Sequence, residues 1–228
     1  MKKVFYILIF VADLFFSRLV CAQTATQKAC NKVMRPPEVS FSVSYGKLKY
    51  DFSKSSRTLT RMHMKQYGAQ VPDGQYVNGL ATYALTTDLS MNFTKTRLQD
   101  GTVCIYPEKV DLKIKNVDPT IYISADLEQN GCRYKVALRH EQTHQQINFE
   151  VFEYYVPIIQ RRFEEAVKKY ALISSKRDIN LTLAKEKFKD KYMQAVNELI
   201  QEISSEINNE QIKLDSAENY NYEMSLCR

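Results

Sequence analysis

The first half of the chain, up to about Thr120, alternates apolar and polar residues in runs rich in β-branched and aromatic side chains. Three such runs are "EVSFSVSYGKLKYDF", "ATYALTTDLSMNFTKTRL" and "TVCIYPEKVDLKIKNV". Alternation with a period of two is typical of strands that bury one face. Because glycine adopts a positive φ without steric cost, the Asp100-Gly101 pair between the last two runs favours a hairpin turn. The pattern predicts an antiparallel sheet, with a further short run, "TIYISA" from Thr120 to Ala125, as a candidate sheet edge.

The second half of the chain, from Cys132 onward, repeats its apolar residues every three or four positions, which predicts helices. Proline inside a helix removes a backbone hydrogen bond and clashes with the preceding turn. Pro157 therefore predicts a kink or break near Glu153 to Val156. A long amphipathic helix, packed back on the earlier helix as an antiparallel pair, is predicted by a later apolar stripe: Phe188, Tyr192, Ala195, Leu199, Ile203 and Ile207.

Length and composition favour one folded domain. The 228 residues suffice for one good core and are few for two. Apolar residues make up 44% and charged residues 25%, which are ordinary values for a globular protein. We predict an α+β domain over residues 23–228, β-rich over 38–125 and helical over 132–215. In this fold an antiparallel β-sheet is followed by a motif helix and a long C-terminal helical hairpin.

The beginning of the chain has the pattern of a signal peptide. Two lysines precede an apolar run, "VFYILIFVA", and Val20 and Ala22 are the small residues that a signal peptidase recognises. We predict that cleavage after Ala22 removes residues 1–22 and that the protein is exported, to the periplasm or beyond. An uncleaved membrane anchor is the alternative, although Asp13 and Arg18 interrupt the apolar stretch.

Cleavage would leave four cysteines, which in an exported chain indicate two disulfides. Pairing Cys104 with Cys132 and Cys30 with Cys227 is favoured, because the second bridge would tie both ends of the mature chain together. The absence of any CxxC spacing argues against a zinc cluster made of cysteines.

The charge balance argues against nucleic-acid binding. The formal net charge of +6 falls to +4 without residues 1–22, and the basic residues of the helical half alternate with acidic ones. Such alternation is typical of a solvated helix face.

The stretch "RHEQTHQQINFE" contains an HExxH motif on a predicted helix. Since an α-helix turns ~100° per residue, His140 and His144 lie ~40° apart on one face and can bind one Zn²⁺. Glu141 lies beside that face and can act as the general base for a zinc-activated water. The face also carries the apolar residues of the helix, so the histidines point inward. This arrangement suits the floor of a cleft, and it also suits a structural pair of buried histidines.

The segment "TIYISADLEQNGCRYKVALRHEQTH" resembles poorly characterised secreted bacterial proteins that are predicted to be zinc-dependent proteases. In them an edge strand, a cysteine and an aromatic residue precede HExxH, and the resemblance extends from about Leu80 to Lys169. It implies that His140 and His144 are metal ligands and that Glu141 is the general base. In zinc peptidases the strand beside the motif helix pairs with an extended peptide, which here would be "TIYISA".

The sequence leaves the third metal ligand open. Glu150 would lie ~15 Å along a continuous helix from His140, too far to share its ion. Glu164 stands twenty residues after His144, as in sites that take a glutamate from a second helix, and Glu165 follows it. His63 is the remaining candidate.

The sequence therefore predicts an exported zinc metallopeptidase whose partner is a peptide or protein substrate. Envelope association is compatible with export, and no nucleic-acid partner is expected. The alternative is a non-catalytic envelope or secreted binding protein in which HExxH is structural or degenerate.

Overall fold

The two halves of the sequence form strands and helices as their patterns predict, in a mixed α+β arrangement. The computed structural model describes residues 24–68, 71 and 74–227. The predicted signal peptide, its cleavage site and the alternative anchor lie outside these residues. The described elements in chain order are α1 (Ala25–Asn31), β1 (Glu38–Ser44), β2 (Lys49–Asp51), α2 (Ser56–Tyr67), β3 (Gly79–Thr82), β4 (Leu85–Arg97), β5 (Val103–Asn116), β6 (Thr120–Ile123), α3 (Cys132–Lys169), β7 (Ile173–Ser175), α4 (Leu181–Leu214) and α5 (Ala217–Ser225).

The larger sheet is built on the long hairpin of β4 and β5, which pair antiparallel. The predicted turn is confirmed: the Leu98 N–H donates to the Thr102 carbonyl at 2.8 Å, and Gly101 has a φ of +83°. On the other side of β5 lie β1, which is parallel to it, and β7, which is antiparallel. The expectation of an antiparallel sheet is therefore wrong for β1. Alternation along a strand reports which face is buried, and it carries no information about the direction of the neighbouring strand.

The smaller sheet has the order β2-β6-β3, with β6 parallel to β2 and antiparallel to β3. The run "TIYISA" contains β6, so its expected place at a sheet edge is wrong, because β6 has a neighbour on each side. Its partners contain only three and four residues. Runs this short show no clear period in a sequence. The edge strand of this sheet that lies against α3 is β3.

Helix α3 contains 38 residues and continues through Pro157, so the predicted break is absent. Both Pro157 and Glu153 are exposed. Pro157 has no N–H to donate to the Glu153 carbonyl, four residues earlier. That carbonyl lies towards solvent, where water can hydrate it. As a consequence the motif helix is itself one arm of the helical hairpin, and α4 is the other arm.

The main core lies between the larger sheet and this helical hairpin. The predicted stripe on α4 is buried as expected, except that Val196 is fully buried where Ala195 is half-buried. Fully burying one large apolar side chain contributes about 1.5–3 kcal/mol. The largest buried side chains of this core are Ile105, Leu112, Ile114, Phe152, Ile159, Phe163, Phe188, Tyr192 and Ile203.

Two disulfides are present, and their pairing differs from the expected one: Cys30 bonds Cys104, and Cys132 bonds Cys227. Helix α1 packs near the start of β5, where Cys30 is fully buried, and α5 returns the chain to the start of α3. These contacts depend on tertiary packing, which cysteine spacing does not report. Two disulfides indicate an oxidising, exported compartment. Within the described residues, no helix has the length and apolarity needed to cross a membrane.

Candidate metal centre

The HExxH face of α3 is buried, as its pattern predicts. His140, Glu141 and His144 are only 6%, 7% and 8% exposed. The two imidazole rings lie 82° from parallel, and their Nε2 atoms are 3.0 Å apart. One donor atom from each of the three residues lies within 4.8 Å of the others, so the group could hold a metal ion.

Asp215, the C-cap residue of α4, brings a carboxylate oxygen that could serve as a third ligand atom. Its Oδ1 lies 3.1 Å from His140 Nε2 and 3.0 Å from His144 Nε2. The two nitrogens and this oxygen form a nearly equilateral triangle. Atoms bound ~2.0–2.1 Å from one zinc ion at tetrahedral angles lie roughly 3.3 Å apart. The triangle therefore fits three ligands of a small tetrahedral ion, with slight expansion.

A polar contact between α3 and α4 places Asp215 at the histidines. The Gln211 side-chain amide donates to Asn148 Oδ1 at 2.6 Å, and Asn148 is 1% exposed. The two helices run antiparallel, so one turn further along α4 corresponds to one turn back along α3. Asp215 follows Gln211 by four residues, and His144 precedes Asn148 by four. Asp215 therefore lies at the level of His144. The backbone N–H of Asp215 also donates to the Gln211 carbonyl, at 2.8 Å.

Helix α5 supplies a carboxylate behind the first histidine. Glu223 Oε2 lies 2.8 Å from His140 Nδ1. When His140 donates this N–H, its Nε2 keeps a lone pair that faces Asp215 and His144. Lone pairs that converge in this way repel one another unless a proton or a cation lies between them. Glu223 is therefore placed to orient His140 as a metal ligand, and the Cys132–Cys227 bridge ties the end of α5 to the start of α3.

Glu141 lies against β3, at a position where only glycine leaves room. A Cβ added to Gly79 would come within 2.5 Å of Glu141 Cγ and Oε1. The backbone N–H of Ala81 donates to the Glu141 carboxylate. Strand β3 thus fixes the carboxylate beside the histidines.

Gly79→Ala is expected to lower the free energy of unfolding by about 1–3 kcal/mol, because the new methyl group overlaps a buried side chain. Denaturant unfolding with both disulfides intact measures it. Glu141→Ala removes the overlapping atoms, so the same glycine substitution should cost clearly less in that background. Equal losses in the two backgrounds would show that Gly79 does not make room for Glu141.

The charges of the centre depend on one another. Burial raises the pKa of Glu141 to about 7, although the charges of His144 and His140 oppose the rise. Burial also acts to raise the pKa of Asp215, but hydrogen bonds from His140 and His144 outweigh it and hold that pKa well below its ordinary value. For His140, burial disfavours the charged form, yet the hydrogen bond to Asp215 and the charges of Glu141 and Glu223 raise its pKa. The pocket thus attracts positive charge.

Three of the four residues expected as third ligand do not reach the histidines. Glu150, Glu164 and Glu165 are exposed on α3, where the first two accept hydrogen bonds from nearby glutamines. Because α3 is continuous, Glu164 lies ~30 Å along the axis from His144. His63, on α2, lines the same cavity as the two histidines. Asp215, which none of these expectations named, is the carboxylate that contacts both histidines.

An open cavity of about 860 Å³ gives access to the centre. Its walls come from β3 and the residues before it, from the first turns of α3, and from the region where α4 meets α5. This volume is in the usual range for sites that bind small molecules or short peptide segments. Comparisons of the chain with protein-family models, with curated proteins and with solved structures found no match.

Proposed function

We propose that the protein is a zinc-dependent hydrolase of peptide or other amide bonds. His140, His144 and Asp215 hold the ion in this proposal, and Glu141 is the general base. The triangle of two Nε2 atoms and one Oδ1, with sides of 3.0–3.1 Å, is the observation that carries it. Imidazole nitrogen and carboxylate oxygen in a tetrahedral set suit zinc among the common metal ions. A bound zinc ion supplies Lewis acidity and lowers the pKa of a coordinated water toward ~7.

Glu141 has the position and the environment that a general base needs. Its carboxylate lies within 4.8 Å of the histidine donor atoms, a separation that one water molecule can span. Its pKa, raised to about 7, would fall beside a cation, because an opposite charge favours the ionised form. The ionised carboxylate can then accept a proton at neutral pH.

The edge of β3 supports an extended peptide as substrate. The Asn78 carbonyl accepts from the Ser124 N–H at 2.8 Å, which turns the backbone groups of Asn78 towards β6. In an antiparallel pair the next residue points the other way, so Gly79 and Ala81 direct their backbone groups away from β6 and towards Glu141. An added strand would take its main-chain hydrogen bonds at Gly79, because the Ala81 N–H already donates to Glu141. In the proposal β3 replaces "TIYISA" as the substrate-pairing strand.

Export to the periplasm or the cell exterior belongs to the same proposal. The two disulfides support an oxidising compartment, and the apolar segment before residue 23 supports export through a signal peptide.

Metal analysis of the purified, oxidised protein is the first test of this function. About one zinc ion per chain is expected, and His144→Ala should lose it, because a tetrahedral site cannot spare an imidazole ligand. Gln146→Ala, an exposed position two residues further along the helix, is the control and should keep the ion. A metal-free protein whose melting temperature does not respond to added zinc would contradict the proposal and favour a non-catalytic binding protein.

A further inference from the structure

The cavity in front of the metal centre carries one basic side chain whose role the centre does not explain. Glu141, Asp215 and Glu223 give the inner part of the cavity three carboxylates. Arg133 is the only arginine or lysine among the described residues that line it. Its guanidinium is exposed, and no described carboxylate forms an ion pair with it.

Arg133 lies on the same face of α3 as the first histidine. Seven residues separate it from His140, which is two helical turns, or roughly 10 Å along the axis with a turn of only ~20°. Val136 and Ala137 line the cavity between them. The wall therefore runs from a guanidinium, over an apolar stretch, to the metal-binding atoms.

The backbone of Arg133 is held in place from two sides. It belongs to the first turn of α3, and the preceding residue, Cys132, is bonded to Cys227. The Arg133 side chain therefore extends from a fixed backbone position. Its planar set of N–H donors matches a carboxylate, which can accept two hydrogen bonds at once.

We propose that Arg133 selects substrates that carry a carboxylate about three residues from the hydrolysed bond. The backbones of Arg133 and His140 lie roughly 10 Å apart along the helix axis, a distance that three residues of an extended peptide span at ~3.3 Å each. The carboxylate comes either from an acidic side chain or from the C-terminus of the peptide. This inference rests on the proposed hydrolase function and makes Arg133 a specificity-determining residue.

A matched set of synthetic peptides tests the proposal. A sequence that the wild-type protein cleaves is first found by mass spectrometry of a digested peptide mixture. It is then made with Asp, Asn or Lys three residues from the cleaved bond on either side, each with a free or an amidated C-terminus. The wild type should favour a carboxylate at one of these places by about 5-fold or more in kcat/KM. Arg133→Glu should reverse the order, so that the Lys peptide is preferred.

Lys135→Glu is the control, because it makes the same change of charge on an exposed position of α3 that does not line the cavity. This variant should keep the wild-type order of preference among the Asp, Asn and Lys peptides. Binding of the same peptides to Glu141→Gln protein, with and without Arg133→Glu, gives a readout that does not depend on turnover. The order of binding should match the order of kcat/KM.

The outcomes separate this inference from the function on which it rests. If zinc is bound and peptides are cleaved, but Arg133→Glu keeps the wild-type order for both sources of carboxylate, Arg133 does not select the substrate and the hydrolase proposal stands. If the zinc-loaded wild type cleaves and binds none of the peptides, both proposals fail.

Discussion

Asp215→Ala is expected to lower the affinity for zinc by at least about 100-fold. Loss of a residue that merely orients a ligand already costs ~10–100-fold, and Asp215 supplies one corner of the donor triangle itself. Competition with a chromogenic chelator at fixed pH measures the affinity. The variant should bind less zinc at every chelator concentration that leaves the wild type loaded.

The control for this prediction lies on the same helix. Asp190→Ala makes the same substitution at an exposed position of α4 and should leave the affinity unchanged. Circular dichroism of the metal-free proteins checks that both variants are folded. Wild-type affinity in folded Asp215→Ala would mean that another group is the third ligand, and His63, which lines the cavity, would be the next residue to change.

Glu141→Gln is expected to keep the zinc and to lower kcat by about 10²–10⁴-fold, the usual contribution of a general base. Glutamine has nearly the same shape, so it fits beside Gly79 and can still accept from the Ala81 N–H. It cannot accept a proton from water. Zinc stoichiometry and the rate of peptide hydrolysis, measured on the same preparation, separate the two effects.

Stability gives an independent check on the same variant. Burial raises the pKa of Glu141 to about 7, so at pH 8 the folded protein without metal carries a buried charge that the unfolded chain exposes to water. A neutral amide removes that cost, so the metal-free variant should be at least as stable as the wild type at pH 8.

Glu150→Gln, exposed on the same helix, should keep both activity and zinc. Full hydrolysis by Glu141→Gln would exclude Glu141 as the base, and loss of zinc would make it a ligand.

The sequence predicted the long elements of the fold well. The strands of the hairpin contain 13 and 14 residues, and the helices of the pair contain 38 and 34. Over such lengths the period of burial repeats often enough to be read. The direction of β1, the separation of β2 and β3 from the long strands, the strand β7 within the helical half, and the three shorter helices were missed. For α2 local signals exist, because Ser55 caps its start and Gly68 ends it with a φ of +66°.

The site was predictable only as far as it is local. His140, Glu141 and His144 lie within about 1.1 turns of a single helix, so helical geometry alone brings them together. Asp215 is 75 residues from His140 in the sequence, and no spacing rule joins two positions so far apart. The one local signal is Ser216, the N-cap residue of α5, which marks the boundary between α4 and α5 where Asp215 lies. Glu164 and Glu165 were plausible ligands only if the chain broke at Pro157 to start a second helix, and α3 continues through it.

The bridge between Cys132 and Cys227 closes a covalent ring of the chain, with a sequence separation of 95 residues. His140, His144, Asp215 and Glu223 all lie inside that ring. On a chain-entropy model, closing a loop of this size removes about 4–5 kcal/mol of conformational freedom from the unfolded state. Even when the tertiary structure is lost, the oxidised chain keeps these four side chains at a raised effective concentration. Oxidation of the two thiols therefore brings these four side chains near one another before the helices have packed.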